Sequence, residues 1–419
     1  MRILWITNTL FPDICSELGI KPPVVGGWMY ASAKAILTTN KDIELGVAAL
    51  YKGDEVKQFI VNQITYFLIP TSYTNNLYNK NLETHWKEIN RIFLPDVVHI
   101  HGTEYPHGLA YVNSCGNQNV VISIQGLVSV YAQYYFGGIA IKDLLKTITL
   151  RDCIRLDTVF IQRRKMQQKG QLEKAIIKSV DHIIGRTSWD KVHSWATNAQ
   201  AKYYFCNETL RSGFYNNHWN INNCEAHSIF LSQAHYPIKG LQQVIKALPI
   251  ILKHYPDTRI YVAGNDFANN RGWRLNGFGK YIRGLMKKNG VTTKIIFTGV
   301  LTENEMRNRY LASHVFVCPS SIENSSNSLG EAQLLGVPCV ASYVGGIADM
   351  VTDGETGLLY RYEEVEMLAA AICHIFANDS FAVKLSLQSR EAAMNRHDKL
   401  INAMTLNKIY QEIYENTAH

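Results

Sequence analysis

Long apolar runs are missing from this sequence. Nowhere do about 18 apolar residues follow one another, so no transmembrane helix is expected. The opening MRILWITNTLF has too short an apolar stretch, and no small-residue cleavage site, for a signal peptide; it reads as a first strand. No CxxC pair occurs. The eight cysteines, Cys15, Cys115, Cys153, Cys206, Cys224, Cys318, Cys339 and Cys373, are scattered, several of them inside apolar runs. They read as core thiols of a reducing, cytoplasmic compartment rather than as disulfide staples or zinc ligands. No G-x-G-x-x-G follows the first strand and no Walker A pattern is present, which removes the main support for a dehydrogenase or a P-loop kinase. Repeats and low-complexity tracts are absent, and nothing points to nucleic acid as a partner.

What remains is a 419-residue chain of globular composition with a formal charge of +7. The length exceeds one ordinary core and predicts two domains. The charge favours anionic partners such as nucleotides, diphosphates or an acidic membrane surface. Short β-branched strands alternate with helical stretches in both halves. The first half has Ile3–Thr7, Leu45–Ala49, Val97–His101, Val121–Ile124 and His182–Gly185; the second has Ser228–Leu231, Arg259–Gly264, Lys294–Thr298, His314–Cys318 and Pro338–Ser342. Helical periodicity fills the gaps, as in Leu241–His254, Glu303–Ala312 and Ser328–Leu335. This alternation predicts an α/β protein with two doubly wound parallel sheets. The Asn-rich stretch Gly213–Glu225 reads as the linker. The expected division is therefore 1–215, 216–395 and a helical segment 396–419 packing back across the domains.

The strongest chemical signal is CPSSIENSSNSLGE, Cys318–Glu331. It sets two carboxylates, Glu323 and Glu331, eight positions apart, one in a loop after a strand and one in the first turn of a helix. A helix start offers unpaired N–H groups and a positive dipole end, which suits a diphosphate or a sugar hydroxyl. The plainer reading makes Ser328-x-x-Glu331 a capping box. Lys239, in Tyr236-Pro-Ile-Lys-Gly240, can reach a diphosphate as a point charge, or can be a solvated loop lysine. Gly26–Gly27, in the stretch Val25–Trp28, precede a helix from about Met29 to Leu37 and can cradle an anion with backbone N–H groups. Gly345–Gly346 and Asp353–Gly357 are further tight turns. His99, His101 and His107 lie in HIHGTEYPHG. A zinc site there competes with one packed and one substrate-facing histidine, His101 being at a parallel strand's carboxyl end.

Taken together these motifs resemble family 4 of the retaining glycosyltransferases. The matching track runs through PIKG (Pro237–Gly240), YVAG (Tyr261–Gly264), FTGVLTENEM (Phe297–Met306), Cys318–Ser342 and VGGIADMVTDGETGLL (Val344–Leu359). The first half matches more loosely, through Gly26–Gly27 and PDVVHIHG (Pro95–Gly102). The resemblance implies the GT-B fold, two Rossmann-like domains facing a cleft. It implies a nucleotide-sugar donor, UDP- or GDP-linked, on the second domain, and a saccharide or polyprenyl-diphosphate-linked glycan acceptor on the first. It places Gly26, Gly27, Lys239, Gly240, Gly264, Val300, Asn327, Ser328, Leu329 and Glu331 at the donor, with Glu323, Lys239, Gln125 and His101 around the reacting centre. Members of this kind build capsule, O-antigen or other bacterial surface polysaccharides.

Two positions depart from the family pattern. The places five and six residues before Lys239, where members often carry an Arg, hold Ala234 and Gln233; Arg271, Arg283 or the basic stretch Arg151–Arg164 is expected to replace it. Gln125 stands where members often have a His. No D-x-D occurs, so neither a metal nor another cofactor is implied. Transfer with retention is then a matter of positioning and of stabilising leaving-group charge. A nucleotide-sugar epimerase and an inactive scaffold of a polysaccharide assembly complex are the rival readings. Ile141–Lys174 interleaves basic and apolar residues; it is read as a surface for the inner leaflet or, equally, as solvated helices.

Overall fold

The computed structural model describes residues 1–23, 26–71 and 78–416. They form two compact units. The first comprises 1–130, 167–210 and the chain from 397 onward; the second comprises 131–166 and 211–396.

The first unit is built on eight strands: β1 (Arg2–Thr7), β2 (Glu44–Tyr51), β3 (Lys57–Val61), β4 (Ile64–Pro70), β5 (Val97–His101), β6 (Val120–Ser123), β7 (His182–Gly185) and β8 (Lys202–Phe205). Their order is β3-β4-β2-β1-β5-β6-β7-β8. All neighbours are parallel except β3, which is antiparallel to β4. Central strands are buried on both faces, as parallel strands covered by helices must be: every residue of β5 is buried, whereas edge strand β3 alternates. Period-two alternation divides β1 between two cores. Ile3 and Trp5 join Phe11, Ile36, Tyr66 and Tyr410 on one face; Leu4 and Ile6 join Trp86, Ile100 and Ile177 on the other.

The second unit carries β9 (Glu225–Leu231), β10 (Arg259–Val262), β11 (Ile295–Phe297), β12 (Ser313–Cys318), β13 (Cys339–Ser342) and β14 (Leu358–Tyr360). They form an all-parallel sheet ordered β11-β10-β9-β12-β13-β14. Helix Leu241–His254 follows β9 and packs on helix Val365–Phe376; helix Asn327–Leu334 follows β12 and packs on helix Asp379–Arg396.

The two sheets agree with the sequence reading, but the units do not follow its linear boundaries. Residues 131–166 fold with the second unit because side chains there hold them. The Gly137 carbonyl accepts bonds from Gln242 Nε2 at 2.9 Å and the Tyr362 hydroxyl at 2.7 Å, and Asp152 accepts from the Gly277 N–H at 2.6 Å. Helix Lys399–Glu415 packs on helix Gly27–Thr39 within the first unit. Strands β3, β4, β8 and β14 were not expected. Four cysteines are core thiols, but Cys115, Cys224 and Cys373 are half-buried and Cys153 is exposed.

Candidate active site

In an open parallel sheet, ligands bind at the carboxyl ends of the strands where the winding reverses. In the second unit that point lies between β9 and β12. The chain leaves β9 into a short turn, Pro237–Lys239, which Gly240 ends at φ +72°. A Cβ on Gly240 would stand 1.6 Å from the Pro319 carbonyl oxygen, so glycine lets the loops after β9 and β12 touch. That contact delivers Lys239 Nζ to Glu323 Oε1 as an ion pair. Ser320 Oγ donates to the same oxygen at 2.9 Å. The Glu323 carbonyl accepts the Gly346 N–H at 3.0 Å, and a Cβ on Gly345 would lie 1.9 Å from that oxygen. Burial pulls the Lys239 pKa down, but Glu323 and Tyr236 outweigh it and hold the value above the ordinary one. Tyr131, from the inserted segment, lies in the field of both charges; burial and Glu323 push its hydroxyl well above the usual tyrosine range.

Helix Asn327–Leu334 begins beside this pair. Ser326 makes no side-chain cap, and Ser328 and Glu331 form no capping box. The plainer sequence reading of that motif therefore fails. Glu331 is engaged by Arg211, with Nε at 2.6 Å from Oε1 and Nη2 at 2.7 Å from Oε2. Arg211 also lies over the Phe214 ring, 4.6 Å from its centroid. Sequence reasoning missed Arg211, which is 120 positions from its partner. Of the other expected donor contacts, Asn327 and Ser328 are half-buried at the helix start, while the Leu329 side chain is fully in the core and leaves only its backbone N–H. Gly264, at φ +111°, bridges to Gly299 beyond β10 and β11, and Val300 is 62% exposed beside it.

Three of the arginines expected to replace the missing cation, Arg151, Arg163 and Arg283, are engaged elsewhere. Arg151 pairs with Asp152 and Asp157 at 2.9 and 3.7 Å. Arg163 donates to the Ala132 carbonyl, and Arg283 to the carbonyls of Ala268 and Asn270. Arg271 is exposed.

In the first unit the reversal lies between β1 and β5. Gly26, at φ +85°, opens helix Gly27–Thr39, and a Cβ there would lie 2.5 Å from Thr9 Cγ2. Val25 lies outside the described residues. His101 ends β5, is 3% exposed, and among the described residues has no hydrogen-bond partner on either ring nitrogen. It packs on His99, Trp5 and Trp28 at 3.8, 4.3 and 5.8 Å between ring centroids. Burial lowers its pKa to about 3, so the ring is neutral. Both nitrogens of His99 are occupied, Nδ1 by the Tyr410 hydroxyl and Nε2 by Ser123 Oγ, each at 2.5 Å. The Tyr410 oxygen also accepts from Trp5 Nε1 at 2.9 Å. His107 is buried and stacks on Tyr105. No zinc site results, and among the described residues no group of three or more His, Cys, Asp or Glu is placed to hold a metal.

Gln125 follows β6 by two residues. Arg186 Nη2 donates to its backbone carbonyl at 2.9 Å and to its Oε1 at 3.4 Å, while Nη1 pairs with Glu208 at 2.5 Å. Glu104, which sequence reasoning passed over, stands at the reversal itself: its Oε1 accepts Asn8 Nδ2, from the end of β1, at 3.1 Å. Burial, reinforced by Glu173 and opposed by its own N–H and Lys169, lifts its pKa to about 7. Proximity of Glu104 to His101 in the sequence was the available signal.

Residues 225–378 match the family model of glycosyl transferases group 1. The matched stretch contains Lys239, Glu323, Glu331 and the whole of the second sheet. The chain is similar to the GDP-mannose-dependent alpha-(1-6)-phosphatidylinositol monomannoside mannosyltransferase of Mycolicibacterium smegmatis, with 26% identity over 169 residues, 38% of this chain and 41% of the relative. It is similar to the D-inositol 3-phosphate glycosyltransferase of Corynebacterium glutamicum, with 26% identity over 182 residues, 43% of this chain and 42% of the relative. The match thus spans about two fifths of the length of these curated relatives. Among solved structures, sucrose-phosphate synthase from Thermosynechococcus elongatus superposes with a TM-score of 0.71 at 16% identity, covering 99% of this chain and 100% of that one. HepE of Anabaena, solved with UDP and glucose, gives 0.65 at 13% identity, covering 98% and 99%. WaaG, a glycosyltransferase involved in lipopolysaccharide biosynthesis, gives 0.63 at 14% identity, covering 97% and 99%. The fold is that of the GT-B glycosyltransferases, with two Rossmann-like sheets.

Proposed function

We propose that this chain transfers a sugar from a nucleotide-sugar donor to a saccharide or lipid-linked glycan, with retention and without a metal. The observation that carries the reading is the Lys239–Glu323 pair at the β9/β12 reversal, ahead of an uncapped helix start. The cavity beside the pair measures only about 10 Å³. A donor therefore binds by exchange: the diphosphate takes Lys239 and the N–H groups of Asn327–Leu329, and the released Glu323 accepts hydroxyls of the donor sugar. Each charge-assisted bond gained is worth about 1.5–3 kcal/mol. Glu331, fixed in direction by Arg211, keeps lone pairs for a ribose. As the glycosidic bond breaks, negative charge grows on the diphosphate, where Lys239 and the helix dipole oppose it. Gln125 and neutral His101 orient acceptor hydroxyls without exchanging a proton near neutral pH.

A surface-polysaccharide role at the inner leaflet is part of this reading. Among the described residues no single helix is long and apolar enough to cross a membrane. The exposed Ile141, Leu145, Leu150 and Ile154, however, alternate with Lys142, Lys146 and Arg155. Such a face can lie on anionic lipid.

A thermal-shift panel of UDP- and GDP-sugars tests the donor site, because a ligand of the folded state alone raises its stability. Nucleoside diphosphate release is then followed with candidate acceptors in excess EDTA, and the product anomer is read by NMR. A new sugar formed without acceptor means an epimerase; binding without release from any donor means a scaffold.

A further inference from the structure

A second cavity, of about 690 Å³, opens in the same unit at the carboxyl ends of β12, β13 and β14. Ligand pockets fall in this size range. The inserted segment makes one wall, with Gln133, Tyr134 and Phe136. That wall is fixed: Ser321 Oγ donates to the Tyr134 carbonyl at 3.2 Å, and Gly137, at φ +55°, would put a Cβ 2.3 Å from the Pro237 carbonyl oxygen. Tyr343 and Arg361 stand on other strand ends, and Lys246 on helix Leu241–His254.

The lining excludes some occupants and favours one. Among its described residues Val344 is the single aliphatic side chain, so an acyl chain finds no apolar sleeve. Tyr134 and Tyr343 are 46% and 61% exposed, offering flat rings to the C–H faces of pyranoses. Gln133 supplies an amide for hydroxyls, whereas Gln243 is buried and spends its amide on the Tyr362 carbonyl at 2.7 Å and on Lys246 at 3.0 Å. Two cations, Lys246 and Arg361, face one carboxylate, Glu363. The Arg361 side chain is 75% exposed and its contact with Glu364 is a loose 4.0 Å, which leaves its donors available.

We propose that this cavity binds a glycan segment bearing a carboxylate or phosphate, as an accessory subsite for the acceptor chain away from its reacting end. The proposal rests on the glycosyltransferase reading. The cavity and the donor site draw on the same two stretches of chain: Ser321 lies two residues before Glu323, and Tyr134 three residues beyond Tyr131. An acceptor held here is thus tethered next to the sugar it receives, and longer acceptors gain affinity from contacts remote from the reaction.

Titration calorimetry with a hyaluronan tetrasaccharide, maltotetraose and inorganic phosphate tests this. The uronate tetrasaccharide should saturate one site without displacing UDP. Tyr343→Ala with Arg361→Ala should weaken it about fivefold or more, as expected for losing one ring contact and one cation, at unchanged UDP affinity. Undiminished binding to that double variant, binding of phosphate but neither tetrasaccharide, or equal binding of maltotetraose overturns the proposal. A wild-type chain that binds no UDP or GDP refutes the donor-site reading instead, whatever the oligosaccharides do.

Discussion

Arg211 holds both carboxylate oxygens of Glu331, at 2.6 and 2.7 Å, and the two side chains are only 16% and 8% exposed. Removing one partner strands a buried charge, which costs about 3–5 kcal/mol. Arg211→Ala should show that loss in urea denaturation. Arg211→Met combined with Glu331→Leu should recover most of the stability while abolishing nucleotide binding. A single variant within about 1 kcal/mol of wild type would mean the pair is a surface ornament.

Lys239→Ala should lower kcat/KM roughly ten- to a hundredfold, the cost of one charge-assisted bond in the transition state. Glu323→Gln should act mainly on kcat, and Glu331→Gln mainly on donor affinity. Circular dichroism at the assay temperature separates these effects from unfolding, because Lys239→Ala also leaves Glu323 unpaired. Wild-type rates in all three variants would remove the assignment.

Glu104 gives a pH signature. Its folded pKa, about 7, lies above the ordinary carboxyl value of 4.5. The native state therefore binds more protons than the unfolded chain between those values, and this group's contribution to stability falls as pH rises through that window. Glu104→Gln should match wild type near pH 4.5 and exceed it at pH 8 by on the order of 1–3 kcal/mol. Parallel stability curves for the two proteins would show that Glu104 titrates normally.

Binding to vesicles of anionic lipid should be measurable at low salt and fade at high salt, since exposed charges are screened over about 10 Å at 0.1 M. Replacing Leu145 and Ile154 by Ser should weaken it without altering nucleotide affinity. Sedimentation that leaves the protein in the supernatant at low salt would remove the membrane from the proposal.

Local signals made the sheets and the donor loops legible. Helix Leu241–His254 emerges at the boundaries its periodicity predicts, and the E-x7-E pair lies where a strand gives way to a helix. The β3–β4 hairpin was hidden because its turn, Asn62–Gln63, uses two non-glycine residues at φ +50° and +67° instead of Asn-Gly. β8 and β14, four and three residues long, are too short to show a period. Membership of residues 131–166 in the second unit was invisible for another reason. It is decided by bonds such as Gln242 to Gly137, 105 positions apart, and no local pattern encodes them. Arg211, and its pairing with Glu331 120 positions away, escaped in the same way.

Tyr410 joins Trp5 and His99 through one hydroxyl, and Ile409 and Ile413 bury beside it in the core that β1 begins. Strand β1 therefore waits for helix Lys399–Glu415, some four hundred residues later, before its core closes. Meanwhile residues 131–166 must find partners that are synthesised only after residue 210. Neither unit can be completed as a contiguous length of nascent chain, so nascent intermediates expose apolar surface until helix Lys399–Glu415 has been made. Chaperone demand and expression yield should accordingly depend on helix Lys399–Glu415 far more than its distance in sequence from the donor loops suggests.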